Sequence, residues 1–362
     1  MIHGGDVYSE GLLKGRELLD FSSNINPLGL PESFKEHINE AMDNLVRYPD
    51  VKYRKVKESL NEYTGIEEGF IVIGNGAAEI LDLSIGAISS AVLLVPSFAE
   101  YELSLKKWTI PYTYVEMIEN HIEGKMYEYI IDYNKVLNEL DNKEALIIAN
   151  PNNPNGIIIN EDSFKEILDF AEKNNKRIII DEAFIEFVGD NTKSMTKYIH
   201  KYKCLFVVRA LTKFFAMPGI RFGYGFSSDE KFLNKIREKQ NPWNVNAFAE
   251  IAVQYSLKDR NYIDKSLEWI VSERSIFTIE LLKIDIFKKV YKTEGNFVLL
   301  QLNGNITCEE LYHRLMLKGI LIRKANNYIG LDNSYIRLAI KDREKNNIIL
   351  KALKEVQNEM KG

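Results

Sequence analysis

Besides Arg209, two cationic residues lie in the segment RALTKFFAMPGIRFGY, which spans residues 209–224. Lys213 follows the apolar run LFVV, and Arg221 comes eight residues later, after Ile220. Long cationic side chains often lie along an apolar surface with their charged heads in water. A buried lysine instead has a lowered pKa, and its neutral amine can attack carbonyl carbons. The segment alone allows either role, so the surrounding elements must decide.

Short apolar runs precede this segment along the chain and are separated by helix-like stretches. Continuous β-branched runs are typical of parallel strands that are buried on both faces. The intervening segment 161–176 has Phe164, Ile167, Leu168 and Ala171 at helical spacing. This alternation predicts an open α/β sheet, with strands at FIVI (70–73), AVLLV (91–95), ALIIA (145–149), RIIID (177–181) and CLFVV (204–208).

The pattern changes near residue 240, where long helical stretches begin. Three apolar runs follow, namely GNFVLLQL (295–302), GILIRKA (319–325) and SYIRLAI (334–340). A chain of 362 residues is large enough for two domains that share a cleft. We therefore predict an N-terminal arm (1–30), a large α/β domain (31–240) and a small α+β domain (241–362).

Composition and charge exclude several classes of function. The net charge of -5 argues against a nucleic-acid-binding surface. Cys204 and Cys308 form no CxxC pair and the five His residues are dispersed, so neither a disulfide framework nor a metal site is expected. The N-terminus MIHGGDVYSEG lacks the pattern of a secretion signal, and no run of 18 apolar residues occurs. We expect a cytoplasmic protein without a membrane partner.

Polar residues follow the predicted strands at their carboxyl ends, where open α/β sheets bind ligands. After the first strand, GNGAAE (74–79) opens a helix whose amides can bind phosphate. A dinucleotide fingerprint would need a third glycine where Glu79 stands, so nicotinamide binding is disfavoured. The other strand ends carry PSFAEY (96–101), NPNNPNG (150–156), Asp181-Glu182 and RALTK (209–213).

Each of these residues also has an ordinary structural explanation. Asp181 is suited to capping a turn, but a carboxylate at a buried strand end can also keep a heteroaromatic nitrogen protonated. Asn153 fits a turn, and Phe98 alone would be assigned to the core. The complete set, in this order, is much harder to explain by chance.

In its motifs the chain resembles the fold-type-I pyridoxal-5'-phosphate enzymes of the aminotransferase class I/II family. NPNNPNG, DEAF, LTKFFAMPGIR and the late arginine of YIRLAI occur in the family's order, with the family's spacing between Lys213 and Arg221. The resemblance covers essentially the whole chain. It implies the aspartate aminotransferase-like fold, with a mostly parallel seven-stranded sheet in the large domain.

The resemblance also implies which residues bind the cofactor. Lys213 would form the covalent bond with the cofactor aldehyde, and Asp181 would pair with the pyridine nitrogen. Asn153 would donate to the phenolic oxygen of the ring, and Phe98 would stack on the ring face. The cofactor phosphate would be surrounded by Gly76, Ala77, Ala78, Thr212 and Arg221.

Further residues are assigned to the substrate and to a second subunit. Tyr48, in RYPD, matches the tyrosine that reaches the cofactor phosphate of the neighbouring subunit, which implies a homodimer with sites at the interface. Arg337 matches the arginine that holds the substrate carboxylate as a bidentate pair. Arg323 matches one that binds a substrate phosphate, so the partner is a small phosphorylated amino acid or amine. The other predicted substrate contacts are His3, Gly4, Asn24 and Asn153.

Two branches of the family handle phosphorylated amines, the L-threonine-O-3-phosphate decarboxylases and the histidinol-phosphate aminotransferases. The N-terminal stretches HGGDVYSEG and LLDFSSNINPLGLPES are more similar to the decarboxylase branch. The implied reaction is therefore decarboxylation of O-phospho-L-threonine to aminopropanol phosphate in cobalamin biosynthesis, with transamination as the alternative. A cofactor-free binding module is the alternative of another class, against which the retained Lys213 and Asp181 argue.

Four positions depart from the family pattern. Phe184 stands where many aminotransferases have a tyrosine that donates to the ring's phenolic oxygen. Ala210 replaces a Ser or Thr that usually binds the cofactor phosphate, so Thr212 and Arg221 would carry more of that role. Asn155 replaces a threonine and Ile329 a proline, and the second change affects the placement of the nearby Arg323.

Overall fold

The computed structural model describes residues 4–360, so the predicted contact of His3 lies outside the described residues. The strands are β1 (Leu19–Asp20), β2 (Ile71–Gly74), β3 (Ala91–Val95), β4 (Tyr112–Glu116), β5 (Ile118–Glu123), β6 (Met126–Ile130), β7 (Ala145–Ala149), β8 (Arg177–Asp181), β9 (Leu205–Ala210), β10 (Gly223–Phe226), β11 (Phe287–Tyr291), β12 (Phe297–Leu302), β13 (Ile320–Leu321), β14 (Arg323–Lys324) and β15 (Tyr335–Ala339).

The helices surround these strands and connect them. They are α1 (Val7–Glu10), α2 (Glu32–Glu36), α3 (Ile38–Asn44), α4 (Arg54–Thr64), α5 (Ala77–Ile85), α6 (Ala99–Lys107), α7 (Tyr133–Asp141), α8 (Glu161–Lys173), α9 (Glu230–Arg237), α10 (Ala247–Ser256), α11 (Arg260–Leu282), α12 (Cys308–Leu317) and α13 (Arg343–Glu359). Short 3-10 turns lie at Leu12–Lys14, Glu68–Phe70, Ile185–Val188, Asn191–Lys193 and Met195–Tyr198.

The central sheet has seven strands in the order β2-β10-β9-β8-β7-β3-β4. All neighbouring pairs are parallel except those of β10, which runs antiparallel to both β2 and β9. This confirms the predicted mostly parallel seven-stranded sheet. The five predicted strands lie within two residues of their expected bounds, and AVLLV, ALIIA and RIIID have the predicted bounds of 91–95, 145–149 and 177–181.

The apolar runs form strands because helices cover both faces of the sheet. Successive residues of a strand point to opposite faces. Accordingly, Ile178 and Ile180 join the core that contains Leu168 of α8, whereas Ile179 joins the core that contains Leu81 of α5. A sheet covered on both sides buries every residue of such a run, which explains why these strands have no polar alternation.

A second sheet of six strands has the order β14-β15-β12-β11-β6-β5. Its β5 and β6 form a hairpin at residues 118–130, which lies within the range predicted for the large domain. The N-terminal segment is joined to the C-terminal half by β1, which pairs in parallel with β13. The domain boundaries at residues 30 and 240 remain predictions. Within residues 4–360, every helix is either too short or too polar to cross a bilayer.

Candidate active site

One cavity lies at the carboxyl ends of the central strands and brings together most of the predicted site residues. From the cofactor set it is lined by Ala77, Ala78, Phe98, Asn153, Asp181, Thr212, Lys213 and Arg221. From the substrate set it is lined by Gly4, Asn24, Arg323 and Arg337. The prediction that these sequence-distant residues converge is met by the geometry, whereas their roles remain predictions.

One end of the cavity has two groups that attract an anion, the start of a helix and an arginine. Helix α5 begins after Gly76, which has a φ of +87° that favours glycine. The first amides of a helix have no intrahelical acceptors and attract negative charge. A Cβ at Gly76 would lie 2.5 Å from Nη2 of Arg221, so the guanidinium is beside the helix start. A Cβ at Gly223 would lie 2.2 Å from the Ala77 amide nitrogen, so a side chain there would push the helix start away.

Asp181 lies at the end of β8 and is buried. Its Oδ2 accepts a hydrogen bond from the Tyr101 hydroxyl at 2.6 Å, and its Oδ1 accepts one from the Ala183 amide at 2.9 Å. Burial raises the pKa of the Asp181 carboxyl, and the bond from Tyr101 opposes that rise. A cation beside this carboxylate would therefore be strongly favoured.

Tyr101 is a site residue that the sequence reasoning missed. It lies in α6 three residues after Phe98, and the two rings meet edge to face with centroids 5.8 Å apart. Residues three apart on a helix share a face. Once Phe98 was assigned to the cavity, this spacing in PSFAEY was the signal that could have found Tyr101.

Lys213 lines the cavity with its Nζ 5.9 Å from the ring centroid of Phe184. Burial, together with the neighbouring cations Arg337 and Lys341, lowers the pKa of its amine to about 8. Asp20 opposes this effect. The environment therefore raises the fraction of neutral, nucleophilic amine above that of an ordinary lysine.

Arg337 is held in place by three partners. Its Nη1 donates to Oδ1 of Asn153 at 2.5 Å and to the hydroxyl of Tyr328 at 3.1 Å, while its Nη2 donates to the Ser22 carbonyl at 2.8 Å. The Tyr328 hydroxyl also contacts Oδ1 of Asn153 at 3.1 Å. The Asn153 amide oxygen is therefore engaged by two donors within the protein. The Nε of Arg337 is buried and has no partner among residues 4–360, so a donor is left for a ligand.

Arg323 and Arg337 lie directly opposite each other on the antiparallel strands β14 and β15. Each is only 5% exposed. The Arg323 guanidinium packs over the Tyr328 ring, 5.3 Å from its centroid, and donates to Asn327. Tyr328 thus separates two buried cations, a contact that no local sequence pattern signals. Two like charges this close favour anionic ligands in the cavity.

A second buried hydrogen-bond network lies next to the site, around Glu182. Glu182 accepts hydrogen bonds from Nε and Nη2 of Arg209 at 3.1 and 3.0 Å, and from Ser194 at 2.7 Å. Because side chains alternate along a strand, Asp181 faces the cavity while its neighbour Glu182 joins this network. Arg209 is therefore a structural partner of Glu182, and Ala210 lines the cavity without a hydroxyl.

The remaining departures have local consequences. Phe184 packs edge to face against Phe297, with ring centroids 5.1 Å apart. Oδ1 of Asn155 accepts from Asn152 at 2.9 Å and so closes the turn. Ile329 packs at the edge of the core on the α5 side of the sheet.

Two of the predicted cofactor-binding residues, Gly76 and Tyr48, are not among the residues that line this cavity. Tyr48 is 77% exposed and packs against Trp243 in a tilted arrangement, with ring centroids 4.7 Å apart. Apolar residues near Tyr48 are also exposed, among them Met42, Leu45, Val46 and Val51.

Among residues 4–360, no cluster of three or more His, Cys, Asp or Glu side chains is arranged to hold a metal ion.

Known proteins share this sequence and fold. A protein of Caldanaerobacter subterraneus subsp. tengcongensis, provisionally named threonine-phosphate decarboxylase, is 41% identical over 99% of this chain and 94% of its own. The threonine-phosphate decarboxylase of Salmonella typhimurium is 31% identical over 98% and 96%. The solved structure of the histidinol-phosphate aminotransferase from Clostridium acetobutylicum is 48% identical, with a TM-score of 0.90. The match covers 94% of this chain and 100% of that structure's chain.

The names of these relatives divide between the two branches predicted from the sequence. The family model matches residues 16–353, a range that contains the central sheet and almost all of the cavity. The chain therefore belongs to the family of aminotransferases of class I and II.

Proposed function

We propose that the cavity binds pyridoxal-5'-phosphate. The residues present fit each part of that molecule: the start of α5 with Arg221 suits its phosphate, and the buried Asp181 suits its pyridine nitrogen. Lys213, with a lowered amine pKa, suits its carbonyl carbon. When bound, the protonated pyridine ring withdraws electrons from the bonds at the substrate's α-carbon. Lys213 then lies where it can hold or deliver a proton at that carbon.

The cofactor proposal is tested on the purified protein before any substrate is added. The protein should be yellow because of a visible absorption band of the bound cofactor. Borohydride should remove this band and leave the mass of the reduced cofactor on the peptide that contains Lys213. A colourless protein that takes up no added pyridoxal-5'-phosphate would contradict the proposal and would leave the binding-module alternative standing.

We propose that the reaction is decarboxylation of O-phospho-L-threonine to aminopropanol phosphate. The observation that carries this proposal is the buried pair Arg323 and Arg337, because two guanidinium groups in one cavity suit a substrate with both a phosphate and a carboxylate. Asn24 and the backbone of Gly4 line the same cavity. The names of the Caldanaerobacter and Salmonella relatives support the same substrate.

Transamination of histidinol phosphate is the second candidate, and the name of the Clostridium acetobutylicum structure favours it. Histidinol phosphate carries one anionic group, so it would engage only part of the arginine pair. The two candidates differ in their need for a keto acid. O-phospho-L-threonine alone should give carbon dioxide, whereas glutamate should form from histidinol phosphate and 2-oxoglutarate only if the second candidate is right.

Arg323→Ala is expected to weaken binding of the phosphorylated substrate more than it slows turnover. Loss of a charged hydrogen-bond donor should raise KM roughly 10- to 100-fold. Steady-state kinetics would measure the change, with Arg314→Ala as the control because that arginine lies on α12 and pairs with Glu310 and Glu359. An unchanged KM in Arg323→Ala would contradict the phosphate assignment.

We further propose that the protein is a homodimer in which Tyr48 contacts the neighbouring subunit's cofactor phosphate. The exposed Tyr48, Trp243 and the apolar residues around them support a surface that a second copy covers. Light scattering should give about twice the chain mass of 41.8 kDa. A monomer with full activity would contradict the proposal. The cytoplasmic location remains a prediction.

A further inference from the structure

Lys341 is a buried lysine that none of the sequence motifs singled out. It lies two residues after β15 and is 7% exposed. Its Nζ donates to the carbonyl of Ser23 at 3.0 Å and to the carbonyl of Ile25 at 3.3 Å. The residue between these two carbonyls is Asn24, whose side chain lines the cavity.

Residues 22–25 form neither helix nor strand, so their backbone depends on side chains for its hydrogen bonds. Four successive carbonyls are bound in this way. The Ser22 carbonyl accepts from Arg337 at 2.8 Å and that of Asn24 accepts from Asn296 at 3.1 Å, while the other two accept from Lys341. Buried carbonyls need such partners, and the donors therefore fix the path of the segment.

In this segment the side chain of Asn24 has one polar atom without a hydrogen-bond partner in the described part of the chain. Asn24 is 1% exposed, and its Oδ1 has no hydrogen-bond partner among residues 4–360. A buried amide oxygen without a partner is costly unless a ligand supplies one. Rotation of the backbone at residue 23 or 25 would move this amide away from the cavity, and Lys341 restrains both positions.

The segment that Lys341 binds also lies against Lys213, because the amide of Asn26, the residue after Ile25, donates to the Lys213 carbonyl at 3.1 Å. After burial and Arg337, Lys341 is the next cause of the lowered pKa of Lys213. Besides Lys213, the charged groups that act on Lys341 are Asp20, Lys345 and Asp342, and burial lowers the pKa of Lys341 itself to about 8. It is therefore mostly cationic at pH 7.

We propose that Lys341 is a positioning residue of this site, which holds Asn24 against the phosphorylated substrate through the carbonyls on either side and adds positive charge near Lys213. The part that concerns Asn24 rests on the proposed function. The part that concerns Lys213 does not.

Lys341→Met keeps the length of the side chain but removes its donors and charge. KM for O-phospho-L-threonine should rise roughly 10- to 100-fold, with a smaller fall in kcat. The rise should vanish when Asn24→Ala is already present, because two residues that act through one contact are not additive. Lys345→Met is the matched control, since that lysine pairs with Asp342 and donates to none of the carbonyls of residues 22–25.

A second readout uses the protein without cofactor. The rate at which Lys213 reacts with an amine reagent, followed against pH by peptide mass spectrometry, should give a higher pKa in Lys341→Met than in the wild type. This measurement holds whichever substrate the enzyme uses, so it tests Lys341 even if the wild type releases no carbon dioxide. If Lys341→Met does not fold, Lys341→Gln replaces it, because the amide lacks the charge but retains an N–H donor. An unchanged Lys213 pKa together with additive effects of Lys341 and Asn24 would overturn the proposal.

Discussion

Lys213→Ala is expected to abolish turnover, with kcat reduced by at least about four orders of magnitude, as for other residues that act as covalent nucleophiles. With a pKa of about 8, roughly a tenth of the amine is neutral at pH 7, whereas a lysine of ordinary pKa has less than about a thousandth in that form. Within residues 4–360, Lys213 is the only lysine that lines the cavity, so no second amine is placed to replace it.

Initial rates at saturating substrate and cofactor would measure the loss. Lys173→Ala removes an exposed lysine at the end of α8 and should behave as the wild type. Activity in Lys213→Ala above about a hundredth of the wild-type value would show that the amine is not the nucleophile.

Asp181→Asn is expected to lower kcat by roughly 100- to 3000-fold, which corresponds to about 3–5 kcal/mol for removing one partner of a buried charge pair. The amide has the shape of the carboxylate and can still accept from Tyr101 or Ala183, so the fold should persist. It has no charge with which to keep the pyridine nitrogen protonated.

Tyr101→Phe tests the hydrogen bonding of Asp181 separately from its charge. It removes the bond to Oδ2 and leaves the carboxylate, so its effect on kcat should stay within about tenfold. Kinetics of the two variants, each with cofactor bound, would make the comparison. If Asp181→Asn stayed within threefold of the wild type, the carboxylate would have no role at the ring nitrogen.

The sequence predicts the buried strands well because their signal is local. An apolar run flanked by helices has few structures available to it. Strand β10 was missed since it consists of only GYGF, and glycines weaken the strand signal. Strand β5 was missed because all six of its residues are exposed, so no continuous apolar run marks it.

The candidate site residues also divide into those that lie near a local sequence signal and those that do not. Asp181, Asn153, Lys213 and Phe98 each lie at the end of an apolar run or within about five residues after it, and a rule about strand ends finds them together. Tyr328 and Lys341 acquire their partners only when β14 and β15 take their places in the second sheet. Their roles depend on contacts between residues up to 318 positions apart, which no pattern in a single sequence reveals.

Release of the substrate carboxylate as carbon dioxide is the most direct test of the proposed reaction. Protein loaded with pyridoxal-5'-phosphate would be given carboxyl-labelled O-phospho-L-threonine without any keto acid, beside Lys213→Ala. We predict labelled carbon dioxide in a one-to-one ratio with aminopropanol phosphate from the wild type and none from the variant. No labelled carbon dioxide from wild-type protein that has bound its cofactor, with glutamate formed from histidinol phosphate and 2-oxoglutarate, would contradict it.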